Sequence, residues 1–122
     1  MSDLEVLART AVDCGFKLRE TLGPGLLESV YEVCLCHSLA KRGLFVERQV
    51  AVPVRYDGLV LDNGFRVDVL IERKLLIELK STEAHLPVHA KQVLTYLRLL
   101  DLPLGLLMIS EPRPSKRVCA DW

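Results

Sequence analysis

Asp68, Glu78 and Lys80 are the residues of this chain whose types and spacing could do chemistry. Asp68 sits in the run FRVDVLI, and the other two sit in KLLIELKS, an apolar stretch that would suit a buried strand. A carboxylate and an ammonium two positions apart on a strand share one face. Glu72, Arg73 and Lys74 form a polar triplet between the two runs and turn the chain. A three-residue loop pairs Ile71 with Leu75. Counting outward, Leu70 meets Leu76, Asp68 meets Glu78, and Arg66 meets Lys80. Directly opposed side chains have Cβ atoms about 4.5–5.5 Å apart. Two carboxylates at that separation repel unless a positive charge lies between them. A divalent cation answers that need, and Mg²⁺ favours one or two carboxylates completed by waters and phosphate oxygens. The carbonyl of Leu79 offers a further oxygen. A slip of one residue in the turn would break the opposition of Asp68 and Glu78, and a solvated edge hairpin with a salt bridge would show the same letters.

The elements that must position these residues follow from periodicity. Leu4, Leu7, Ala8, Ala11, Val12, Gly15, Leu18 and Leu22 lie on one face of a helix, which Ser2 or Asp3 can cap and Gly23-Pro24 ends. A second helix is expected from about Leu26 to Arg42, stopped by Gly43. The period then changes to two, through Val50, Val52, Val54 and Tyr56. Asp57-Gly58 and Asn63-Gly64 are turn signals. Phe65 to Ile71 and Leu75 to Lys80 read as further strands. A third helix is expected from Pro87 to about Leu100, and Leu104 to Ile109 as a last strand. The order is helix, helix, four strands, helix, strand. The first strands are joined by tight turns and run antiparallel, whereas the last is reached through a helix and runs parallel to a neighbour.

Two further motifs resemble known patterns. Residues 25–31, GLLESVY, read G-x-x-E-x-x-Y through Gly25, Glu28 and Tyr31. Gln92 and Tyr96 in LPVHAKQVLTYLRLL form a Q-x-x-x-Y pair. The Asp…Glu-x-Lys hairpin resembles the PD-(D/E)xK nuclease superfamily. The motif of residues 25–31 resembles its GxxExxY branch, and the Q-x-x-x-Y pair is similar to a motif of its recombination-type branch. The resemblance runs from about Leu4 to Ile109. It implies an α/β, restriction-endonuclease-like fold, a mixed sheet flanked by helices, with the first two helices on one face. It implies Mg²⁺- or Mn²⁺-dependent hydrolysis of DNA or RNA, with Asp68, Glu78 and Glu28 as metal-holding and catalytic residues and Lys80 assisting the attacking water. Tyr31, Gln92 and Tyr96 would position substrate. On the residues themselves, Glu28 could equally cap its own helix, Tyr31 could be a core aromatic, Gln92 could pair with backbone, and His89 could be structural rather than a proton shuttle.

Composition sets the outer limits. The 122 residues suit one domain, with residues 111–122 expected as an irregular tail. Half of the chain is hydrophobic, enough for a real core. Sixteen basic and sixteen acidic residues cancel, so there is no global basic field to draw a polyanion. Lys41, Arg42 and Arg48 near one turn, and Arg113, Lys116 and Arg117 in the tail, are local candidates for phosphate contact or plain solvated charge. Cys14, Cys34, Cys36 and Cys119 form no C-x-x-C pair and read as small buried hydrophobes. His37 and His85 are expected to face solvent. No apolar run is long enough to cross a bilayer, and a cytoplasmic protein is expected. Neutral charge keeps open a second reading: a silent nuclease-fold module that binds rather than cuts, as a homodimer or attached to a larger nucleic-acid complex.

Overall fold

The computed structural model describes residues 3–23, 26–80, 86–109 and 116–119, the last of these as backbone alone. Two helices, α1 (Asp3–Leu22) and α2 (Glu28–Lys41), precede strands β1 (Val46–Tyr56), β2 (Leu59–Ile71) and β3 (Leu75–Lys80). Helix α3 (Leu86–Leu100) and strands β4 (Leu104–Ile109) and β5 (Lys116–Cys119) follow. The strands form one mixed sheet in the order β1-β2-β3-β4-β5. Pairing is antiparallel except between β3 and β4, which run parallel through the α3 crossover. This is the α/β architecture expected, with two departures. Lys116–Cys119, expected to be irregular, adds β5 to the edge beside β4. The segments on either side of Asn63-Gly64, expected as separate strands, are one continuous β2.

The two turn signals behave differently for a physical reason. Asp57 and Gly58 both have positive φ, 47° and 83°, and join Tyr56 to its partner Leu59 in a two-residue hairpin loop. At Asn63-Gly64 the chain does not turn. The β1–β2 register shifts there, from Val52–Phe65 to Val54–Leu61, so the extra residues bulge out of the ladder. Gly64 is needed because a Cβ would come within 2.5 Å of Val54 Cγ2.

Both faces of the sheet are covered. Leu75, Ile77 and Leu79 of β3 pack with Leu106 and Met108 of β4 against α1 and α2. Leu76 and Leu107 pack on the opposite side against Val93, Tyr96 and Leu97 of α3. β3 and β4 are therefore apolar on both sides, as suits strands buried between two layers. By alternation, Glu78 and Lys80 fall on the side of Leu76. Among the described residues, no helix is long and apolar enough to cross a membrane.

Tyr31 shows how α2 is locked in place. It is buried, and its hydroxyl donates to the Gly15 carbonyl of α1 at 2.9 Å. Burial pushes the phenol above its ordinary range. Its expected part in positioning substrate is thereby corrected: the side chain looks into the α1–α2 seam, and its one donor is already used. Tyr31→Phe removes this tie between the helices while the Gly15 carbonyl keeps its helical partner in α1, and should cost about 1 kcal/mol. The measurement is the urea midpoint, which should fall while the slope of the transition stays constant.

Candidate active site

The site lies where β2 parts from β3. Ile71–Leu75, Leu70–Leu76 and Val69–Ile77 pair as the hairpin count requires, but the ladder then stops, so the expected backbone pairs Asp68–Glu78 and Arg66–Lys80 do not form. β3 stays paired to β4 all the way to Lys80–Ile109, so it is β2 that leaves. Asp68, the next residue, fills the gap with its side chain: Oδ2 accepts the Leu79 N–H at 2.8 Å. The Leu79 backbone thus enters the site as a donor to Asp68.

On the other flank, β1 kinks at the same level. Arg48–Val69 and Val50–Val67 pair, but Gln49, opposite Asp68, does not. Gln49 has φ +51°, a left-handed conformation that costs a non-glycine residue free energy and clusters at functional positions. The kink aims its amide at two carboxylates. Nε2 donates to Glu32 Oε1 of α2 at 2.7 Å and to Asp68 Oδ1 at 3.3 Å. Glu32 is only 5% exposed, and a buried carboxylate is costly unless paired. Arg48 supplies the pair, with Nε and Nη2 donating to Glu32 Oε2 at 3.1 and 2.9 Å. A chain of polar contacts therefore runs Arg48, Glu32, Gln49, Asp68, Leu79. Glu28, Glu32, Gln49, Asp68 and Leu79 share the lining of a cleft of about 530 Å³.

Glu78 lies at the other side of Asp68. It is 4% exposed, its Oε1 is buried without a hydrogen-bond partner, and Oε2 is 3.7 Å from Lys80 Nζ. Its pKa is pushed up to about 8. Burial is the main cause, followed by the negative charge of Asp68 and hydrogen bonding to it. Lys80 and the Asp68 backbone N–H act in the opposite direction. Tyr96 of α3 belongs to the same surroundings. Its phenol is raised first by burial and then by the charges of Glu78 and Asp68, and its ring meets Phe65 with centroids 5.3 Å apart.

A model of the PD-(D/E)XK nuclease superfamily matches residues 5–118. The chain belongs to this superfamily. No curated protein and no solved structure matches it. For a PD-(D/E)XK chain the arrangement is legible. Asp68, Glu78 and Lys80 come together where β2 and β3 separate. Glu28, expected as a third metal ligand, lines the cleft but is exposed at the start of α2. Among the described residues, no three acidic, His or Cys side chains converge to hold a metal, so Glu28 does not complete such a set. The buried carboxylate of α2 is instead Glu32, one turn further on. Its signal in the sequence was a charge beside the apolar stripe Tyr31, Leu35 and Leu39. Gln49 was hidden because a two-residue period says nothing of a kink. Gln92 is exposed on α3, one turn before the buried Tyr96. His89 is half-buried, with Nδ1 unpartnered. Arg42 pairs with Asp13 at 2.7 Å. Cys14 and Cys36 are buried, with the Cys36 thiol pushed up to about 11 by burial first. His37 is exposed, while His85 and Arg113 lie outside the described residues.

The raised pKa of Glu78 makes stability depend on pH. A carboxyl with pKa about 8 when folded, against about 4.3 in a free chain, keeps its proton longer in the native state. Between those values the folded form binds more protons, so stability falls as pH rises and levels off above pH 8. The difference should be on the order of a few kcal/mol. Glu78→Gln removes this titration. In the absence of divalent cations, the variant's melting temperature should change less between pH 5 and 8 than that of the wild type. Parallel slopes would show that Glu78 ionises normally.

Proposed function

We propose that this chain is a nuclease of the GxxExxY branch, cutting phosphodiester bonds of DNA or RNA with Mg²⁺ or Mn²⁺ held by Asp68 and Glu78. The observation that carries the reading is Glu78: a carboxyl in a strand buried on both faces, with one oxygen lacking any partner, beside a second carboxylate and a lysine. That donor set fits an ion that takes one or two carboxylates and fills its remaining positions with water and phosphate oxygens. A cation bound there polarises the phosphate and lowers the pKa of a coordinated water.

The chain's own residues supply the rest. Asp68 is oriented by the Leu79 N–H and the Gln49 amide, so its position does not depend on substrate. Lys80 is three-quarters buried and close to Glu78. From there it orients the attacking water or meets the negative charge that grows on the phosphate. Gln92 and Tyr96, one turn apart on α3, contact the substrate strand. Glu28, at the rim of the cleft, borders the path of entry.

A second reading keeps the fold and drops the cutting. Both Asp68 oxygens are already engaged by neutral donors, and the chain carries no net charge. Both facts suit a module that binds nucleic acid without hydrolysing it.

Single- and double-stranded DNA and RNA, incubated with the protein and Mg²⁺ or Mn²⁺, separate the two. Cleavage should fall at least about 100-fold in Lys80→Ala and in Glu78→Gln. Equal cleavage by wild type and variants would expose a contaminant, and binding without cleavage would favour the module. Independently of activity, Mg²⁺ or Mn²⁺ should raise the melting temperature of the wild type at pH 8 but not that of Asp68→Asn.

A further inference from the structure

The outer face of the helical layer is left unused by this chemistry. α2 carries apolar residues on its outer as well as its inner side. Tyr31, Leu35 and Leu39 are buried in the core, yet Val30 and Val33 on the other side are 42% and 49% exposed. Between the outer surfaces of α1 and α2 runs a groove of about 700 Å³. Leu18, Leu22 and Val33 line it, and Lys17, Lys41 and Arg42 bring positive charge to it. No acidic side chain is among its lining residues. Asp13 sits beside it, paired to Lys17 at 3.3 Å and to Arg42 at 2.7 Å. Three cations less one acid leave a local charge of +2 in a chain whose net charge is zero.

We propose that this groove docks an acidic amphipathic helix of a partner protein. The apolar residues call for an apolar stripe and the cations for carboxylates on either side of it, which is the helix-in-groove mode of recognition. A second copy docked symmetrically would set Lys17, Lys41 and Arg42 against themselves. A nucleic-acid backbone would satisfy the cations and leave Leu18, Leu22 and Val33 facing phosphate. The groove shares no lining residue with the cleft at Asp68, so both can be occupied at once. α2 has 14 residues and is about 21 Å long, which sets the occupant at about four turns.

The test uses the isotope-labelled full chain and two synthetic 16-residue peptides, each with Leu at helical positions i, i+3, i+4 and i+7. One carries Glu at the remaining positions and the other Lys. The Glu peptide should shift backbone amide resonances of residues 14–22 and 33–42. Its affinity should drop roughly tenfold in Lys41→Glu and in Val33→Asp, both surface changes whose folding circular dichroism verifies. The Lys peptide should leave those resonances in place. The proposal is overturned if neither peptide binds, if both bind alike, if the shifts fall elsewhere, or if a DNA or RNA oligonucleotide displaces the Glu peptide from these residues.

Discussion

The hydrogen bond from the Leu79 N–H to the Asp68 carboxylate is the contact on which the rest of the site depends. It forms where β2 has stopped pairing with β3 while β3 remains paired with β4. A sheet that simply lost a ladder there would leave a buried backbone donor without a partner, at a cost of about 1–3 kcal/mol. The Asp68 side chain takes the place of the missing backbone acceptor. The strands can therefore part without an orphan, and the opening between them becomes usable. The carboxylate that closes the fold's hydrogen-bonding account is also the one placed for chemistry.

Glu78 experiences the opposite balance. The same parting leaves it between two packed layers, with the Lys80 ammonium 3.7 Å away and the Asp68 carboxylate crowding it. Asp68 is held by neutral donors, while Glu78 is held mainly by burial. Two carboxyls a single step apart across a hairpin thus come to differ in environment. That division follows from which side of each strand the residues occupy, since Leu79 packs toward α1 and α2 while Leu76 packs toward α3.

Much of this was legible in the residues. The polar triplet Glu72-Arg73-Lys74 and the apolar runs beside it set the hairpin register, which the pairs Ile71–Leu75 and Leu70–Leu76 reproduce. The period-of-3.6 pattern located the first and third helices, and Gly43 the end of the second, to within a few residues, and the parallel pairing of β4 followed from its crossover. What periodicity could not show were departures from periodicity. The kink at Gln49 and the bulge at Asn63-Gly64 are cases where a local residue choice answers a contact far away in sequence. The exchange of Glu28 for Glu32 has the same origin. Both lie on one side of α2, but Glu28 stands at the exposed start of the helix, while Glu32, one turn further in, is covered.

Gln49 carries a last implication. Its left-handed backbone would suit glycine, the residue that adopts such angles at no steric cost, but glycine has no amide to span Glu32 and Asp68. The position therefore marks a conflict between local comfort and long-range purpose. One strained residue thus binds the carboxylate of α2 and the carboxylate of the sheet to a single amide nitrogen, so the two acids share one tether.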